Sequence, residues 1–201
     1  MINDLRQAVM EPCLRSQDQT FHCYLYTWLI DNGLIQQLLD VHIGVFVNLC
    51  LSNHLAQKVK SPFIEDYLLS ARGEPTRRDL LWKYYVRQKE HRKAATQLRS
   101  IAWTEDSTLA LSKRIEYLSS ALSNIKSTSG TGAQDDSTEL ETQVEEELEV
   151  ATVQVEVLKG FERILSSSRS VDTEAISQCI FMLNSRLFNI TEVRFLSGKV
   201  R

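Results

Sequence analysis

Apolar side chains recur along this sequence at intervals of three and four residues, the period of a helix that buries one face. The pattern predicts a succession of helices, and the most regular of them step by 4, 3, 4, 3 residues. In chain order the predicted inward faces are Phe21, Tyr24, Leu25, Trp28 and Leu29; Leu34, Ile35, Leu38 and Leu39; Phe63, Ile64, Tyr67 and Leu68; Leu80, Leu81, Tyr84 and Tyr85; Ala94, Ala95, Leu98, Ile101 and Ala102; Leu111, Ile115, Leu118, Leu122 and Ile125; Leu140, Val144, Leu148, Ala151, Val155 and Leu158; and Ile176, Ile180, Leu183, Leu187 and Ile190.

Capping residues predict where several of these helices begin and end. Gly33 follows the first apolar face and can close that helix. Ser61 followed by Pro62 predicts a helix start, with serine as the N-cap and proline in the first position, where its missing N–H costs nothing. Thr138 and Glu141 fit a capping box at the start of a long helix.

Consecutive helices with short connections, several of them apolar on more than one side, favour a stacked array over a closed bundle. We predict an all-α fold, an irregular α-solenoid segment of about eight or nine stacked antiparallel helices. Residues 1–126 form a helical-hairpin stack in which residues 42–59 are an atypical insertion. Residues 127–137 form a flexible Ser/Thr/Gly loop, and residues 138–201 form a long antiparallel helix pair that continues the solenoid.

Composition supports the helical prediction and sets limits on the class of protein. The 201 residues include only 7 glycines and 3 prolines, too few for the many turns of an all-β fold. The net charge of −3 argues mildly against a nucleic-acid binder. Four cysteines without CxxC spacing indicate reduced thiols rather than a disulfide scaffold. The longest apolar run, Val41 to Leu51, is too short to cross a bilayer, so we expect no direct membrane insertion.

The sequence carries none of the usual signatures of catalysis. Its four histidines lie far apart and match no metal motif such as HExxH, and each is interpreted as a surface or satisfied core histidine. Glycine-rich phosphate loops and a GxSxG elbow are absent from the sequence. The acidic run around Glu145, Glu146 and Glu147 is interpreted as a solvated helix face. We therefore expect no catalytic residue, metal ligand, cofactor or small-molecule substrate, and no enzyme.

Residues 72–99 hold nine basic and three acidic residues, with Trp82, Tyr84 and Tyr85 among them. Basic residues interleaved with aromatic ones suit stacking on single-stranded nucleic acid. The simpler interpretation is that the aromatic residues are core and the basic residues form the solvated face. We prefer that interpretation, and a nucleic-acid-binding helical module stays as an alternative.

Several stretches occur in the same order and at similar spacing in a known family. The sequences at Tyr26–Ile30, Ser61–Leu68, Asp79–Tyr85 and Arg114–Ser123 resemble the large scaffold nucleoporins of the nuclear pore inner ring, and residues 145–157 and 183–191 resemble them more weakly. Those proteins have an N-terminal β-propeller and a C-terminal α-solenoid, and this chain resembles a segment of the solenoid. The positions that carry the resemblance are Trp28, Ser61, Pro62, Phe63, Glu65, Tyr67, Asp79, Leu81, Trp82, Tyr84, Tyr85 and Tyr117.

The resemblance implies a structural constituent of the nuclear pore complex, located at the nuclear envelope, that supports nucleocytoplasmic transport of protein and RNA. Its expected partners are other inner-ring nucleoporins, held through short linear segments. Most of the aromatic residues that carry the resemblance should pack between helices. Residues 42–59 lack the family pattern, and they are either a lineage insertion or a retained intron. A vesicle-coat or tethering α-solenoid is the second alternative, because such scaffolds share the architecture.

Overall fold

The computed structural model describes residues 13, 16–36, 38–39, 62–70, 74–127, 134–167 and 173–197. All regular secondary structure within these ranges is helical. The eight helices defined there are α1 (Gln19–Asp31), α2 (Pro62–Ser70), α3 (Pro75–Arg87), α4 (His91–Ala102), α5 (Leu111–Lys126), α6 (Gln134–Ser167), α7 (Thr173–Ser185) and α8 (Ile190–Ser197).

The chain divides into two compact units, Met1–Arg87 and Gln88–Arg201. This division falls ahead of the predicted loop at residues 127–137. The predicted insertion at residues 42–59 lies outside the described residues, and so does Ser61. Pro62 is the first residue of α2, as the start signal predicts.

In the first unit, α1 packs on α2 and α2 packs on α3. Gly33 closes α1 as predicted, with φ of +68°. Its N–H donates to the carbonyl of Ile30 at 3.0 Å, and the N–H of Leu34 donates to that of Leu29 at 2.8 Å. These two bonds form a Schellman motif, which satisfies carbonyl groups that a helix end leaves open.

The buried face of α1 is not the one that its apolar residues predict. Three of the five predicted inward residues are exposed, and the true inward face is displaced around the helix. The buried residues are His22, Tyr26 and Leu29, whereas Phe21, Tyr24 and Trp28 are 37%, 74% and 54% exposed.

The prediction for α1 is wrong because it did not place His22 and Tyr26 on the inward face. Polar rings such as these can be buried when their polar atoms are hydrogen-bonded. Nε2 of His22 donates to the carbonyl of Ser16 at 2.8 Å, and Nδ1 lies 3.0 Å from the hydroxyl of Tyr26. The imidazole also packs against the ring of Phe63, with centroids 5.1 Å apart. His22 is therefore a satisfied core histidine.

The second unit packs α4 on α5, α5 on α6, and both α7 and α8 on α6. The predicted face of α4 is confirmed, since all five of its residues are buried. One core cluster is built from α6, α7 and α8 with the turn between the last two. Its buried residues are Val157, Phe161, Ile176, Leu183, Phe188 and Val193.

Two boundaries in the second unit differ from the sequence interpretation. α6 begins at Gln134, inside the stretch assigned to the loop, because nothing after Gly132 breaks a helix until well beyond it. The region after residue 138 holds three helices rather than a pair, because α7 ends at Ser185 and α8 begins at Ile190. The apolar steps continue through this break, so periodicity alone could not locate it.

Candidate partner-binding groove

A groove of about 760 Å³ opens on the second unit. Its floor belongs to the core, since Phe188 and Val193 are buried members of the cluster and Val150 packs against it. Its rim carries apolar side chains that face solvent. The lining residues are Trp103, Glu146, Glu147, Glu149, Val150, Val153, Phe188, Asn189, Ile190 and Val193.

One side of the groove is a single face of α6. Glu146, Glu149, Val150 and Val153 follow one another at i, i+3, i+4 and i+7, which places them on one stripe of the helix. The stripe has a polar end with two carboxylates and an apolar end with two valines. Seven residues of helix correspond to about 10 Å, so both ends lie within reach of one short bound segment.

Arg114 holds the loop that carries Trp103 against the end of α7. Its side chain is completely buried, and every hydrogen bond described for its guanidinium goes to a backbone carbonyl. The accepting oxygens belong to Ala102 and Thr104, both at 2.7 Å, Asp106 at 2.6 Å, Leu109 at 2.9 Å and Ser185 at 2.5 Å.

Burial lowers the pKa of Arg114 from its ordinary value, and the nearby charge of Asp106 acts in the opposite direction. Arginine stays charged in proteins, so the guanidinium keeps all its donors. A charged donor makes a stronger hydrogen bond than a neutral one. Arg114 thereby fixes two walls of the groove, the loop after α4 and the turn after α7.

Gln154 holds the same turn through a second set of hydrogen bonds. Its buried amide nitrogen donates to the carbonyls of Leu183 and Arg186 at 2.6 and 2.8 Å, and its amide oxygen accepts from the N–H of Phe188 at 3.0 Å. All three partners are backbone groups, one in the last turn of α7 and two in the connection to α8. The position of Phe188 on the groove floor therefore follows from Gln154.

The start of α8 is fixed by a capping box. The side chain of Asn189 accepts from the N–H of Glu192 at 3.0 Å, and the Glu192 carboxylate accepts from the N–H of Asn189 at 2.9 Å. The same carboxylate pairs with Arg186 at 3.0 Å. This arrangement sets the direction in which Ile190, the first residue of α8, leaves the turn.

A bidentate ion pair between α4 and α6 lies at the rim. Nε of Arg99 donates to both carboxylate oxygens of Glu147 at 2.9 and 3.1 Å, and an Nη donates to one of them at 2.6 Å. The hydrogen bond to Glu147 raises the pKa of Arg99. Glu147 is therefore committed to a structural contact, which the solvated-face interpretation of the acidic run did not foresee. Glu145 pairs with Lys126 at 3.1 Å.

The positions that carry the family resemblance lie elsewhere, mostly inside the first unit. Pro62 begins α2, and Ser61 lies outside the described residues. The side chains of Phe63, Tyr67, Leu81, Tyr84 and Tyr85 are buried or half-buried, Trp28 is exposed, and Trp82 and Tyr117 are half-buried.

Several of these residues join neighbouring helices of that unit. The hydroxyl of Tyr67 lies 2.8 Å from Oγ1 of Thr27, which links α1 and α2. The hydroxyl of Tyr85 donates to Glu65 at 2.9 Å, which links α2 and α3. Within α3, Asp79 accepts from the indole N–H of Trp82 at 2.8 Å. These contacts are structural, and the burial of both tyrosines of α3 leaves them no face for stacking on a base.

Sequence reasoning missed Trp103, Arg114 and Gln154. A single tryptophan outside a periodic face gives no signal of its own. An arginine or a glutamine on an amphipathic helix is ordinarily solvated, so their burial could be suspected only from their spacing within the apolar stripes. Arg114 comes three residues after Leu111, and Gln154 three residues after Ala151.

The described part of the chain contains no group of three or more His, Cys, Asp or Glu side chains placed to hold a metal ion. Within the same residues, no helix is both long and apolar enough to span a membrane.

The fold has close counterparts among solved structures. A crystal structure titled as the Nup170 CTD–Nup145N complex of Chaetomium thermophilum superposes with a TM-score of 0.71 at 23% identity, over 90% of this chain and 30% of that one. The structure of the Nup170 SOL region from the same organism gives 0.68 at 22% identity, over 92% and 22%. The predicted class, an all-α solenoid segment, is confirmed.

A family profile described as the non-repetitive/WGA-negative nucleoporin C-terminal region matches residues 2–194, and the chain belongs to this family. The nuclear pore complex protein Nup154 of Drosophila melanogaster is 30% identical over 185 residues. Nucleoporin NUP170 of Saccharomyces cerevisiae is 25% identical over 190 residues. These alignments cover 90% and 94% of this chain but only 12% and 11% of the relatives. The resemblance and the assignment to the nuclear pore complex at the nuclear envelope are confirmed.

Proposed function

We propose that this chain is a non-catalytic scaffold element of the nuclear pore inner ring, and that its groove holds a short linear segment of another nucleoporin. Such a scaffold supports nucleocytoplasmic transport of protein and RNA indirectly, by its geometry. The observation that carries the proposal is the exposure of three large apolar side chains around one groove: Trp103 is 39%, Val153 49% and Ile190 52% exposed.

Apolar side chains grouped around a concavity are typical of docking surfaces, whereas scattered ones need no explanation. A partner side chain inserted between Val153 and Ile190 would reach the core residue Phe188 on the floor. An anchor buried in this way contributes about 2 kcal/mol or more to binding. The groove fits a short helical or extended segment better than a flat domain surface.

The groove is also held in shape before any partner arrives. Arg114 and Gln154 bind the backbone of two walls through hydrogen bonds, and the Arg99–Glu147 pair joins α4 to α6. A site with fixed walls loses little conformational entropy on binding. The similarity to a solenoid that was crystallised with Nup145N supports another nucleoporin as the class of partner.

The proposal is tested by removing the apolar rim without disturbing the core. The double variant Val153→Gln and Ile190→Gln changes two half-exposed residues, so we expect the unfolding free energy to change by about 0.5 kcal/mol or less per site. The matched control is Phe181→Gln and Met182→Gln, which are 63% and 48% exposed on α7 and do not line the groove. Thermal melting by circular dichroism establishes that both variants fold.

Each tagged chain is then expressed in its own cells, and the associated proteins are quantified by mass spectrometry. We expect the groove variant to lose at least one nucleoporin by about ten-fold, the effect of about 1.4 kcal/mol, while the control retains it. Equal recovery of every nucleoporin by both variants contradicts the proposal. Recovery of vesicle-coat proteins in place of nucleoporins contradicts it as well.

A further inference from the structure

We infer that the segment accepted by the groove is basic as well as apolar, with a lysine or arginine placed about 6–10 Å from its apolar anchor. This inference rests on the proposed function and specifies the chemistry of the partner. It follows from the order of charged and apolar residues along the α6 stripe, Glu146, Glu149, Val150 and Val153.

The described lining of the groove carries charge of one sign. Three carboxylates line it, and the described lining includes no lysine, arginine or histidine. Glu147 is neutralised by its bidentate pair with Arg99. Glu146 and Glu149 are exposed and have no hydrogen-bonded or ionic partner among the described residues, so two negative charges face the open groove.

A cation from the partner is the natural complement of these two charges. Both carboxylates are exposed, so each ion pair with the partner is modest in strength and is screened by salt. An acidic segment would be repelled by the same charges. The two glutamates therefore select among apolar segments by their charge, which is specificity through exclusion of the wrong partner.

The opposite end of the groove does not reverse this preference. The N-terminus of α8 opens there, and a helix N-terminus favours an anion. The side chain of Glu192 already accepts from the N–H of Asn189, and its charge is paired with Arg186. The carboxylate of Glu192 therefore already occupies the N-terminus of α8. The negative charges left unpaired along the described lining are those of Glu146 and Glu149.

The arrangement also fixes the spacing that a partner needs. Val153 lies seven residues after Glu146 and four residues after Glu149 on a continuous helix, about 10 Å and about 6 Å along its axis. An extended segment covers these distances in about two or three residues and a helical one in about four to seven. The anchor and the basic residue should keep one of these two separations.

The test is a peptide selection. Random peptides of about twelve residues displayed on phage are selected against the full chain, against Glu146→Gln with Glu149→Gln, and against Val153→Gln with Ile190→Gln. The matched control for charge is Glu162→Gln with Glu174→Gln, two exposed carboxylates on α6 and α7 that do not line the groove. Circular dichroism confirms that each variant is folded.

We expect the unmodified chain to enrich peptides that combine apolar residues with lysine or arginine at one of the two separations. The charge variant should lose the basic preference and keep the apolar one, and the control should keep both. For one selected peptide, the charge variant should bind about three- to ten-fold more weakly, and this difference should shrink at high salt.

The contrary outcomes separate the inference from the proposed function. Enrichment of apolar peptides without a basic preference, lost in the Val153/Ile190 variant, overturns the inference and leaves the docking groove in place. A basic preference that the charge variant retains also overturns the inference. Enrichment that the Val153/Ile190 variant retains, or no enrichment at all, overturns both.

Discussion

The guanidinium of Arg114 donates to the carbonyl oxygen of Ser185, 71 residues further along the chain, at 2.5 Å. This contact joins the start of α5 to the end of α7, and it belongs to a set of five bonds from one buried side chain to backbone carbonyls. The buried charge of Arg114 is tolerated without a hydrogen-bonded carboxylate because its guanidinium N–H groups all donate to backbone carbonyl oxygens. Arg114 thus holds one end of the groove, and Gln154 holds the turn around Phe188.

Arg114→Met should be strongly destabilising, because it leaves buried carbonyl groups without their donors. Each buried polar group left unsatisfied costs about 1–3 kcal/mol. We expect a loss of about 3 kcal/mol or more in the free energy of unfolding, measured by urea denaturation. Arg114→Lys keeps the charge but not the planar fork, and should recover only part of the loss. Equal stability of the methionine variant and the unmodified chain would show that the carbonyls find other donors.

Gln154→Glu should make stability depend on pH. The carboxylate has no N–H to give to Leu183 and Arg186, whose carbonyl oxygens lie at 2.6 and 2.8 Å, so burial should raise its pKa above the ordinary value of about 4.3. The folded state then binds more protons than the unfolded state. Stability relative to the unmodified chain should therefore fall as pH rises from about 4.3 to the folded pKa, by up to about 1.4 kcal/mol per pH unit.

Urea denaturation between pH 4 and pH 8 measures this dependence. Gln154→Leu is the matched control, because it loses the same hydrogen bonds without adding a titratable group. Its destabilisation should stay constant over the same range. A parallel pH dependence of the two variants would contradict the assigned role of the Gln154 amide.

The Arg99–Glu147 pair should show a measurable coupling energy. Three hydrogen bonds in a bidentate arrangement hold a half-buried carboxylate, which is a better geometry than that of most surface pairs. A double-mutant cycle with Arg99→Gln and Glu147→Gln should give a coupling of about 1 kcal/mol in the free energy of unfolding, after allowance for the solvent exposure of the arginine. Lys126 and Glu145, both more exposed, form the comparison pair and should give less.

The displaced inward face of α1 gives a direct comparison between two neighbouring residues, both predicted to be buried. Leu29→Ala removes a buried side chain and should cost about 2–4 kcal/mol in unfolding free energy. Trp28→Ala removes a larger side chain that is 54% exposed, and should cost about 1 kcal/mol or less. Chemical denaturation of both variants decides between the two faces, since the apolar pattern alone would predict a large cost for both.

The helices themselves were predictable because their apolar spacing is regular. The capping signals were less informative, since the N-caps Glu90 and Ala110 make no side-chain cap hydrogen bond and Thr138, the predicted cap of the long helix, lies inside α6. The face of α4, the closure of α1 at Gly33 and the start of α2 at Pro62 all follow from local rules. These rules depend only on residues close together in sequence. They were sufficient for the fold class.

The groove was not predictable, because it depends on residues far apart in sequence. The turn around Phe188 is held by Gln154 and Arg114, which lie on two other helices. Periodicity treats polar residues as solvated, so it misplaces His22, Arg114 and Gln154 for the same reason. Their burial becomes understandable only when their hydrogen-bond partners are known.

Site-specific photocrosslinking addresses the groove in the assembled pore. The full chain carries p-benzoylphenylalanine in place of Val153, and in a matched control in place of Phe181, an exposed aromatic residue outside the groove. Crosslinking is performed in the chain's own cells, and the attached peptides are sequenced by mass spectrometry. We predict that position 153 captures a short segment of another nucleoporin, with a basic residue close to apolar ones, and that position 181 does not capture it. Absence of any nucleoporin peptide at position 153, or the same peptide at both positions, would contradict the groove as the docking site.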